Sequence, residues 1–268
     1  MKKASIREAQ MRMLEILIEI DKICKKNNIN YWLDSGTLLG AIRHNGFIPW
    51  DDDLDIGMLR EDYVKFLDVV NNELNKKYIC QTPDSDKYCK NAFIKIRDTE
   101  SKIENRVDNI NGLGVFVDIF PYDYLTKKNI IIKKFFNFII LSNWGGNLKL
   151  KKPCIKNMHK NIIICFCKLA NLFYKVVPIE GIIRKIYRIA LKNKIIESKK
   201  IMYGIEVPFK EIIDKSDVFP LKMHMFEGRE FPVPNNFENI LKILFNEWYK
   251  LPPKEFQVPS HSEEIYIK

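Results

Sequence analysis

The feature that most constrains the fold is an acidic run that leads directly into an apolar one. Four carboxylates fall within five residues in the stretch Pro49-Trp50-Asp51-Asp52-Asp53-Leu54-Asp55-Ile56-Gly57. If residues 53–57 are extended, Asp53 and Asp55 lie on one face of a strand, and Leu54 and Ile56 lie on the other. Neighbouring carboxylates repel each other, and a hard divalent cation relieves that repulsion. The stretch therefore predicts a strand that carries a metal-binding pair.

A second apolar strand contains a single acid. Asp118 lies in Gly114-Val115-Phe116-Val117-Asp118-Ile119-Phe120, and Pro121 is expected to end that strand. A carboxylate in apolar surroundings is costly unless it is paired or bound to a metal. We predict that Asp118 is a third carboxylate of the same site. The alternative is that it caps a turn or meets a lysine.

Alternating acidic and apolar residues are typical of magnesium-dependent phosphoryl or nucleotidyl transfer sites. The metal there binds oxygen ligands, holds the substrate phosphates and neutralises developing charge. A calcium-binding loop is the competing explanation for these acids. Such a loop needs Gly at its sixth position and an acid, usually Glu, at its twelfth, where this chain has Ile56 and Asp62. The missing Gly disfavours the calcium loop.

Polar and basic residues near the acids are candidates for binding substrate. Ser35 and Gly36 lie between a predicted strand and a short predicted helix, where backbone N–H groups favour phosphate. Arg43 and His44 could reach the same cleft, and Lys95 and Arg97 share one face of a predicted strand. These cations would stabilise the charge on a leaving group. The alternative for each of the four is a surface or ion-paired cation.

The periodicity of apolar residues predicts both helices and strands. Ser5 with Glu8 forms a capping-box pattern that opens a first helix. A turn around Gly228 predicts a hairpin. Strands are expected at 31–33, 54–58, 93–97 and 115–120, and further helices at 38–43, 61–72 and 237–248. The sequence therefore predicts an α+β fold, a small mixed sheet flanked by helices.

Positive charge is concentrated in one part of the chain. The 268 residues carry a net charge of +10, but residues 127–200 alone contain 18 Lys and Arg against two acids. This segment is also apolar, which predicts amphipathic helices that lie on an anionic membrane or cover a phosphate-handling site. The alternative is a solvated basic face packed on the core. No nucleic-acid partner is expected, because the segment is too apolar to track a phosphate backbone.

Other features predict the cellular compartment. Met1-Lys2-Lys3 is followed by an amphipathic pattern instead of an apolar signal sequence, and no stretch is long and apolar enough to span a membrane. The six cysteines show no Cys-x-x-Cys pair, which disfavours zinc sites and disulfides. We expect a reducing, cytoplasmic setting, with peripheral contact to the inner membrane face.

The combined motif resembles the LicD family. The resemblance rests on Tyr31-Trp32-Leu33-Asp34-Ser35-Gly36-Thr37-Leu38-Leu39-Gly40, the acidic run, Phe93-Ile94-Lys95-Ile96-Arg97-Asp98 and Val117-Asp118-Ile119-Phe120-Pro121. The tail from Phe226-Glu227-Gly228 to Pro252-Pro253 also matches. The resemblance implies three parts: a nucleotidyltransferase-like catalytic core at 1–126, a basic helical insertion at 127–200, and a part at 201–268 that completes the core.

The resemblance also implies an activity. LicD-type enzymes move a phospho-alcohol from a CDP-activated donor to a hydroxyl of a surface glycan such as lipopolysaccharide, teichoic acid or capsule, and phosphocholine is the best-known group transferred. Asp53 and Asp55 match the metal-binding pair of the family, Asp118 the third carboxylate, and Asp51 a further acid. The expected cofactor is Mg²⁺ or Mn²⁺. The expected partners are CDP-choline and a glycan acceptor that could be lipid-linked.

Two other functions stay open from the sequence. One is transfer of the nucleotide itself from a nucleoside triphosphate, with release of pyrophosphate. The other is a membrane-bound scaffold without catalysis. The transferred alcohol is not determined by sequence: choline would need an aromatic cage, and Trp50, Trp144, Tyr122 and Tyr124 are available without anything to select among them.

Overall fold

The computed structural model describes residues 1–105, 114–145, 178–259 and 262–268. Its helices are α1 (Ile6–Asn27), α2 (Ser35–His44), α3 (Arg60–Glu73), α4 (Lys127–Gly145), α5 (Ile179–Leu191), α6 (Lys215–Val218) and α7 (Phe237–Phe245). Its strands are β1 (Lys2–Lys3), β2 (Trp32–Leu33), β3 (Asp55–Leu59), β4 (Tyr78–Gln81), β5 (Ile94–Asp98), β6 (Ser101–Asn105), β7 (Phe116–Tyr124), β8 (Lys200–Tyr203), β9 (Ile212–Asp214), β10 (Lys222–Phe226), β11 (Arg229–Val233) and β12 (Ser262–Ile267).

A seven-stranded mixed sheet forms the centre of the molecule. Its order is β2-β3-β7-β5-β4, and β8 and β9 extend it from the far end of β7. Strands β3 and β7 are parallel, whereas β2, β5 and β8 pair antiparallel with their neighbours. The mixed sheet with surrounding helices confirms the predicted α+β fold.

Helix α1 begins where the sequence predicts. The Ser5 side chain accepts a hydrogen bond from the Glu8 backbone, and the Glu8 side chain accepts one from the Ser5 backbone, which completes the capping box. Its buried face includes Met13, Leu17 and Ile20 and packs on β5, β7 and α3. Because side chains alternate along β7, this packing covers the face opposite Asp118.

Strand β7 continues past Pro121, so the expectation that Pro121 ends it is wrong. β5 pairs with residues 116–119 on one side of β7, and β8 pairs with residues 122–124 on that side. Pro121 lies in the gap between these two partners, where its missing N–H removes no ladder hydrogen bond. Its carbonyl still accepts a hydrogen bond of 2.7 Å from the Gly204 N–H.

Helix α2 begins earlier than the predicted residue 38. Asp34 is its N-cap, and the Asp34 side chain accepts a hydrogen bond from the Ser35 N–H. Strand β3 follows ten residues after the helix ends, and all five of its residues are buried. Gly57 in β3 packs so closely on the Trp32 ring that an added Cβ would lie 2.5 Å from it.

Two smaller sheets complete the described fold. β10 and β11 form the predicted hairpin around Gly228. The strands β1, β12 and β6 form a separate antiparallel sheet that joins both ends of the described chain to its middle. Residues after 200 thus supply β8 and β9 to the central sheet and β12 to this one. The division at 126 and 200 stays a prediction.

The basic segment is described only in part, because 146–177 lie outside the described residues. In α4 the exposed face includes the apolar side chains of Ile131, Phe135 and Phe138, whereas Lys133 is buried. None of the helices in the described ranges is long and apolar enough to cross a membrane. Of the six cysteines, Cys24, Cys80 and Cys89 are buried free thiols.

Candidate active site

Three neighbouring strands align an acid, a second acid and a lysine. Asp55 on β3 is the register partner of Asp118 on β7, and Asp118 is the register partner of Lys95 on β5. All three side chains are buried among apolar strands. The sequence predicted Asp55 and Asp118 as members of one site, and the parallel pairing of β3 with β7 brings them together.

Asp118 and Lys95 form a buried ion pair. The Lys95 Nζ lies 2.5 Å from Asp118 Oδ1 and 2.7 Å from Oδ2. The same ammonium lies 3.8 Å from the ring centre of Phe116 and 5.2 Å from that of Phe93. Asp118 therefore does meet a lysine, as the alternative from the sequence held, and it does so inside the cleft.

The acidic loop folds over the start of α2. An added Cβ on Gly36 would lie 3.0 Å from Asp51 Oδ2, so glycine allows the loop and the helix to approach. Gln10 of α1 fixes the loop from below, because its amide donates hydrogen bonds of 3.0 Å to the carbonyls of Ile48 and Asp51. The loop thus presents Asp51 and Asp53 to the same cleft as Asp55.

The electrostatics of this cluster favour a bound cation. Burial raises the pKa of Asp55 well above its usual value, and the charges of Asp53 and Asp118 raise it further. Burial also raises the pKa of Asp118, although Lys95 opposes that rise. Carboxylates crowded in a low-dielectric site cannot all ionise without a counter-charge. The cluster is therefore suited to hold a positive ion.

Asp34 links the start of α2 to the sheet. Its carboxylate accepts hydrogen bonds from the Ser35 N–H at 2.9 Å and the Tyr122 hydroxyl at 2.8 Å. Burial raises the pKa of Asp34 to about 6, and these two hydrogen bonds oppose the rise. Ser35 itself has a positive φ of 47°, an uncommon conformation for a non-glycine residue. Its hydroxyl lies 3.0 Å from that of Tyr203.

These residues line a cleft of about 580 Å³. One wall carries Ser35, Gly36 and the carboxylates. Apolar side chains from the segment after β8 and from α7 also line the cleft, and we call them the apolar wall. The lining residues are Ser35, Gly36, Asp51, Asp53, Asp55, Asn91, Phe93, Lys95, Phe116, Asp118, Phe120, Tyr203, Pro208, Phe209, Glu211, Leu244 and Phe245.

Hydrogen bonds from two buried basic residues hold in place the segment after β8 that contributes to the apolar wall. Arg60 donates paired hydrogen bonds of 2.7–2.9 Å to Asp123 and to Glu206. The Lys133 ammonium donates to the carbonyls of Tyr203, Gly204 and Val207 at 2.6–2.8 Å. A loop with so many buried hydrogen bonds holds its shape. The position of the apolar wall is thus set by residues that do not line the cleft.

Three predicted cations lie away from the cleft lining. Arg43 donates to His44 Nε2 at 3.0 Å and to the Trp248 carbonyl at 2.9 Å. Arg97 shares a strand face with Lys95, as predicted, but it donates to Gln81 and to the Gly114 carbonyl. Of the four predicted cations, the structure brings Lys95 to the carboxylates.

The donor chemistry of the cluster fits a hard divalent cation. Across the described ranges, no three acidic, histidine or cysteine side chains already converge tightly enough to form a complete metal site. The oxygen-only set of Asp53, Asp55 and Asp118 is nevertheless what Mg²⁺ or Mn²⁺ prefers. Burial and neighbouring acids raise the pKa of Asp55 and of Asp118, and a bound cation would oppose that rise.

Several site residues carry no signal that sequence reasoning detected. Tyr203, Phe209, Glu211 and Phe245 lie some 150 residues or more after the acidic run, and no motif marks them. Arg60 follows β3 directly, where an arginine at a helix start is unremarkable. Asp34 differs from these residues, because it lies within the motif matched from the sequence. An Asp before Ser-Gly-Thr is a common N-cap.

Comparison with known proteins agrees with this geometry. Residues 28–142 match the family model described as LicD/FKTN/FKRP, nucleotidyltransferase domain. The chain is 32% identical to the lipopolysaccharide cholinephosphotransferase LicD of Haemophilus influenzae over the full length of both proteins. The chain belongs to the LicD family. It is therefore an enzyme, a transferase of the LicD type.

Two further relatives match smaller parts of this LicD family member. An uncharacterised protein of Rickettsia typhi is 28% identical over 53% of this chain and 46% of its own length. The human ribitol 5-phosphate transferase FKRP is 56% identical over 34 residues, which are 13% of this chain and 7% of FKRP. The short FKRP match is thus to a protein named for the transfer of ribitol 5-phosphate.

Proposed function

We propose that this enzyme transfers phosphocholine from CDP-choline to a hydroxyl of a cell-surface glycan. The observation that carries the proposal is the row of Asp55, Asp118 and Lys95 across three strands of one cleft. The full-length similarity to a lipopolysaccharide cholinephosphotransferase supports choline as the alcohol. A lipopolysaccharide precursor is the favoured acceptor, with teichoic acid and capsule as alternatives.

A divalent ion, Mg²⁺ or Mn²⁺, would be held by Asp53, Asp55 and Asp118. When bound, such an ion neutralises the charge of the donor diphosphate and supports displacement at phosphorus. Ser35 and Gly36 border the same cleft at the start of α2, where the N-terminal end of a helix favours phosphate. Lys95 provides a positive charge next to the acids.

The proposed transfer forms one bond, breaks one bond and moves one proton. The acceptor hydroxyl oxygen forms a bond to the phosphorus of phosphocholine, and the bond from that phosphorus to the CMP oxygen breaks. CMP leaves, and the proton of the hydroxyl passes to a carboxylate of the cleft. Asp118 either completes the metal site or accepts this proton. The cleft contributes mainly positioning and charge stabilisation, which account for most of the catalysis in such displacements.

The first test is release of CMP from a panel of CDP-alcohols. CDP-choline, CDP-ethanolamine, CDP-glycerol and CDP-ribitol are each incubated with enzyme, a lipid-linked glycan fraction and Mg²⁺, Mn²⁺ or EDTA. We expect CMP release from CDP-choline that EDTA abolishes. Release of pyrophosphate from a nucleoside triphosphate instead would establish the alternative nucleotidyltransferase reaction. Vesicle binding without turnover of any nucleotide would favour the scaffold.

We further propose that the enzyme works at the cytoplasmic face of the inner membrane. Ile131, Phe135 and Phe138 on α4 are 69%, 62% and 63% exposed. The neighbouring Lys127 and Lys134 are exposed on the same helix. Exposed apolar side chains beside lysines favour contact with an anionic lipid surface. A lipid-linked acceptor would then be available at the same membrane.

A further inference from the structure

The apolar wall of the cleft contains aromatic rings, which the transfer reaction alone does not require. The rings of Phe120, Tyr203 and Phe209 contact one another with centroids 5.1–5.7 Å apart. Phe245 lies on the same cleft, contributed by α7. Phe209 and Phe245 each remain 40% exposed. Two exposed phenylalanines on one concave surface indicate a binding surface for part of a ligand.

The other rings of the cleft already contact a cation of the protein. The Lys95 ammonium lies over Phe116 and within 5.2 Å of the Phe93 ring centre. Phe120 and Tyr203 are almost fully buried and support the cluster from behind. Phe209 is therefore the member of the ring cluster that presents its surface to the cleft.

An acid lies on the same side as these rings. Glu211 lines the cleft two residues after Phe209. Its backbone neighbour Lys210 donates an N–H to the Glu211 Oε2 at 2.9 Å, which orients the carboxylate. A carboxylate at an aromatic surface favours a cationic ligand group.

We propose that Phe209, Phe245 and Glu211 form a subsite for a quaternary ammonium group. The inference rests on the proposed function and deepens it, because it assigns the residues that select the alcohol of the donor. Quaternary ammonium groups bind to aromatic faces through the electrostatic attraction of the ring, and they need no hydrogen-bond acceptor. A neutral polyol such as ribitol carries no positive charge for the aromatic faces and the Glu211 carboxylate to attract.

The geometry also connects this subsite to the diphosphate. The Tyr203 ring packs on Phe209 at 5.1 Å, and the Tyr203 hydroxyl lies 3.0 Å from the Ser35 Oγ at the start of α2. Tyr203 therefore connects the ammonium subsite, through its ring, to the start of α2, through its hydroxyl. A phosphate ester with a short alkyl ammonium, such as phosphocholine, has groups that match both the subsite and the helix start.

The test compares CDP-choline with CDP-3,3-dimethylbutanol, in which carbon replaces the charged nitrogen at constant shape. The affinity of the enzyme for each donor is measured by calorimetry with Mg²⁺ and without acceptor. CMP, the part that both donors share, is titrated in the same way. The wild type should bind CDP-choline about tenfold more tightly than the carbon isostere. Phe209→Leu and Glu211→Gln should each lose most of that preference and bind CMP unchanged.

Phe209→Trp should retain the preference, because the larger ring offers the same surface. Phe256→Leu is the matched control, since Phe256 is 67% exposed and lies outside the cleft lining. Equal affinities of the wild type for the two donors would overturn the subsite, as would full preference in Phe209→Leu. If the preference is present and CMP release is absent, the subsite stands and the proposed transfer reaction fails. If CMP release depends on the metal but the wild type shows no preference between the two donors, the transfer reaction stands and the subsite fails.

Discussion

Lys95 and Asp118 are opposite each other on two antiparallel strands, and both oxygens of the carboxylate lie within 2.7 Å of the ammonium. Both residues are less than 10% exposed. The pair therefore lies in the buried core of the sheet and also lines the cleft. Because Asp55 is the next residue across the sheet, the positive charge of Lys95 also moderates the repulsion between the two acids.

The first prediction concerns this ion pair. Lys95→Met should lower the free energy of unfolding by about 3–5 kcal/mol, because it leaves the Asp118 carboxylate buried without its partner. Adding Asp118→Asn to that variant should recover part of the loss. Urea denaturation at pH 7 measures both, with Lys65→Met on the exposed face of α3 as the control. A double variant no more stable than Lys95→Met would refute the explanation.

Asp55→Asn should separate catalysis from stability. The substitution removes one metal ligand, so we expect CMP release to fall about 10²-fold or more. It also removes a buried charge among Asp53 and Asp118, so the melting temperature without metal should stay the same or rise. Asp68→Asn, at an exposed position of α3, is the control for both measurements. Retained activity in Asp55→Asn would contradict the metal assignment.

Lys133 should make stability depend on pH. Burial lowers its pKa to about 8 in the folded chain, against 10.5 for an unperturbed lysine. Between these values the unfolded chain binds more protons, so this residue's contribution to stability rises with pH. Relative to Lys133→Met, the wild type should gain about 2–3 kcal/mol from pH 7 to 10.

Comparing the wild type with Lys133→Met at each pH cancels the titration of all other groups. Guanidinium denaturation at pH 7, 8, 9 and 10 provides the series. Lys134→Met, at an exposed position on the same helix, is the control for the loss of a lysine from α4. A difference that does not change with pH for Lys133→Met would show that Lys133 keeps its usual pKa.

The exposed face of α4 should bind anionic membranes. Replacing Phe135 and Phe138 together by Ser should lower the bound fraction about tenfold in co-sedimentation with vesicles that contain phosphatidylglycerol. Higher salt should weaken the binding of the wild type, because lysines contribute to it. Phe256→Ser serves as the control for loss of an exposed ring. Equal binding to neutral and anionic vesicles would remove the electrostatic part of the proposal.

Much of the fold follows from local patterns along the chain. The capping box at Ser5, the amphipathic helix α3, the strand after the acidic run and the hairpin at Gly228 were all predicted close to their observed places. Local signals were strong there because apolar periodicity and turn residues agree. Strands β4, β6, β8, β9 and β12 were not predicted, since each is short and forms by pairing with a distant partner.

The sequence predicted the acidic residues of the candidate cleft and missed its apolar residues. Asp51, Asp53 and Asp55 are adjacent in sequence, so their chemistry is visible without any structure. Phe209 and Glu211 become part of the cleft only through the anchors of their loop, Arg60 and Lys133. Arg43 shows the opposite case: it lies close to the acids in sequence, but its guanidinium binds carbonyls near α7.

The sequence by itself predicted the chemical type of the site, since a dense set of carboxylates leading into an apolar strand favours a bound cation. It also determined the family, through a motif whose residues lie close together. The tertiary structure alone decided that Lys95 meets Asp118, that Pro121 lies where a strand changes partner, and that aromatic side chains line the same cleft as the acids. These relationships depend on strand register and on contacts between distant segments, which local periodicity does not encode.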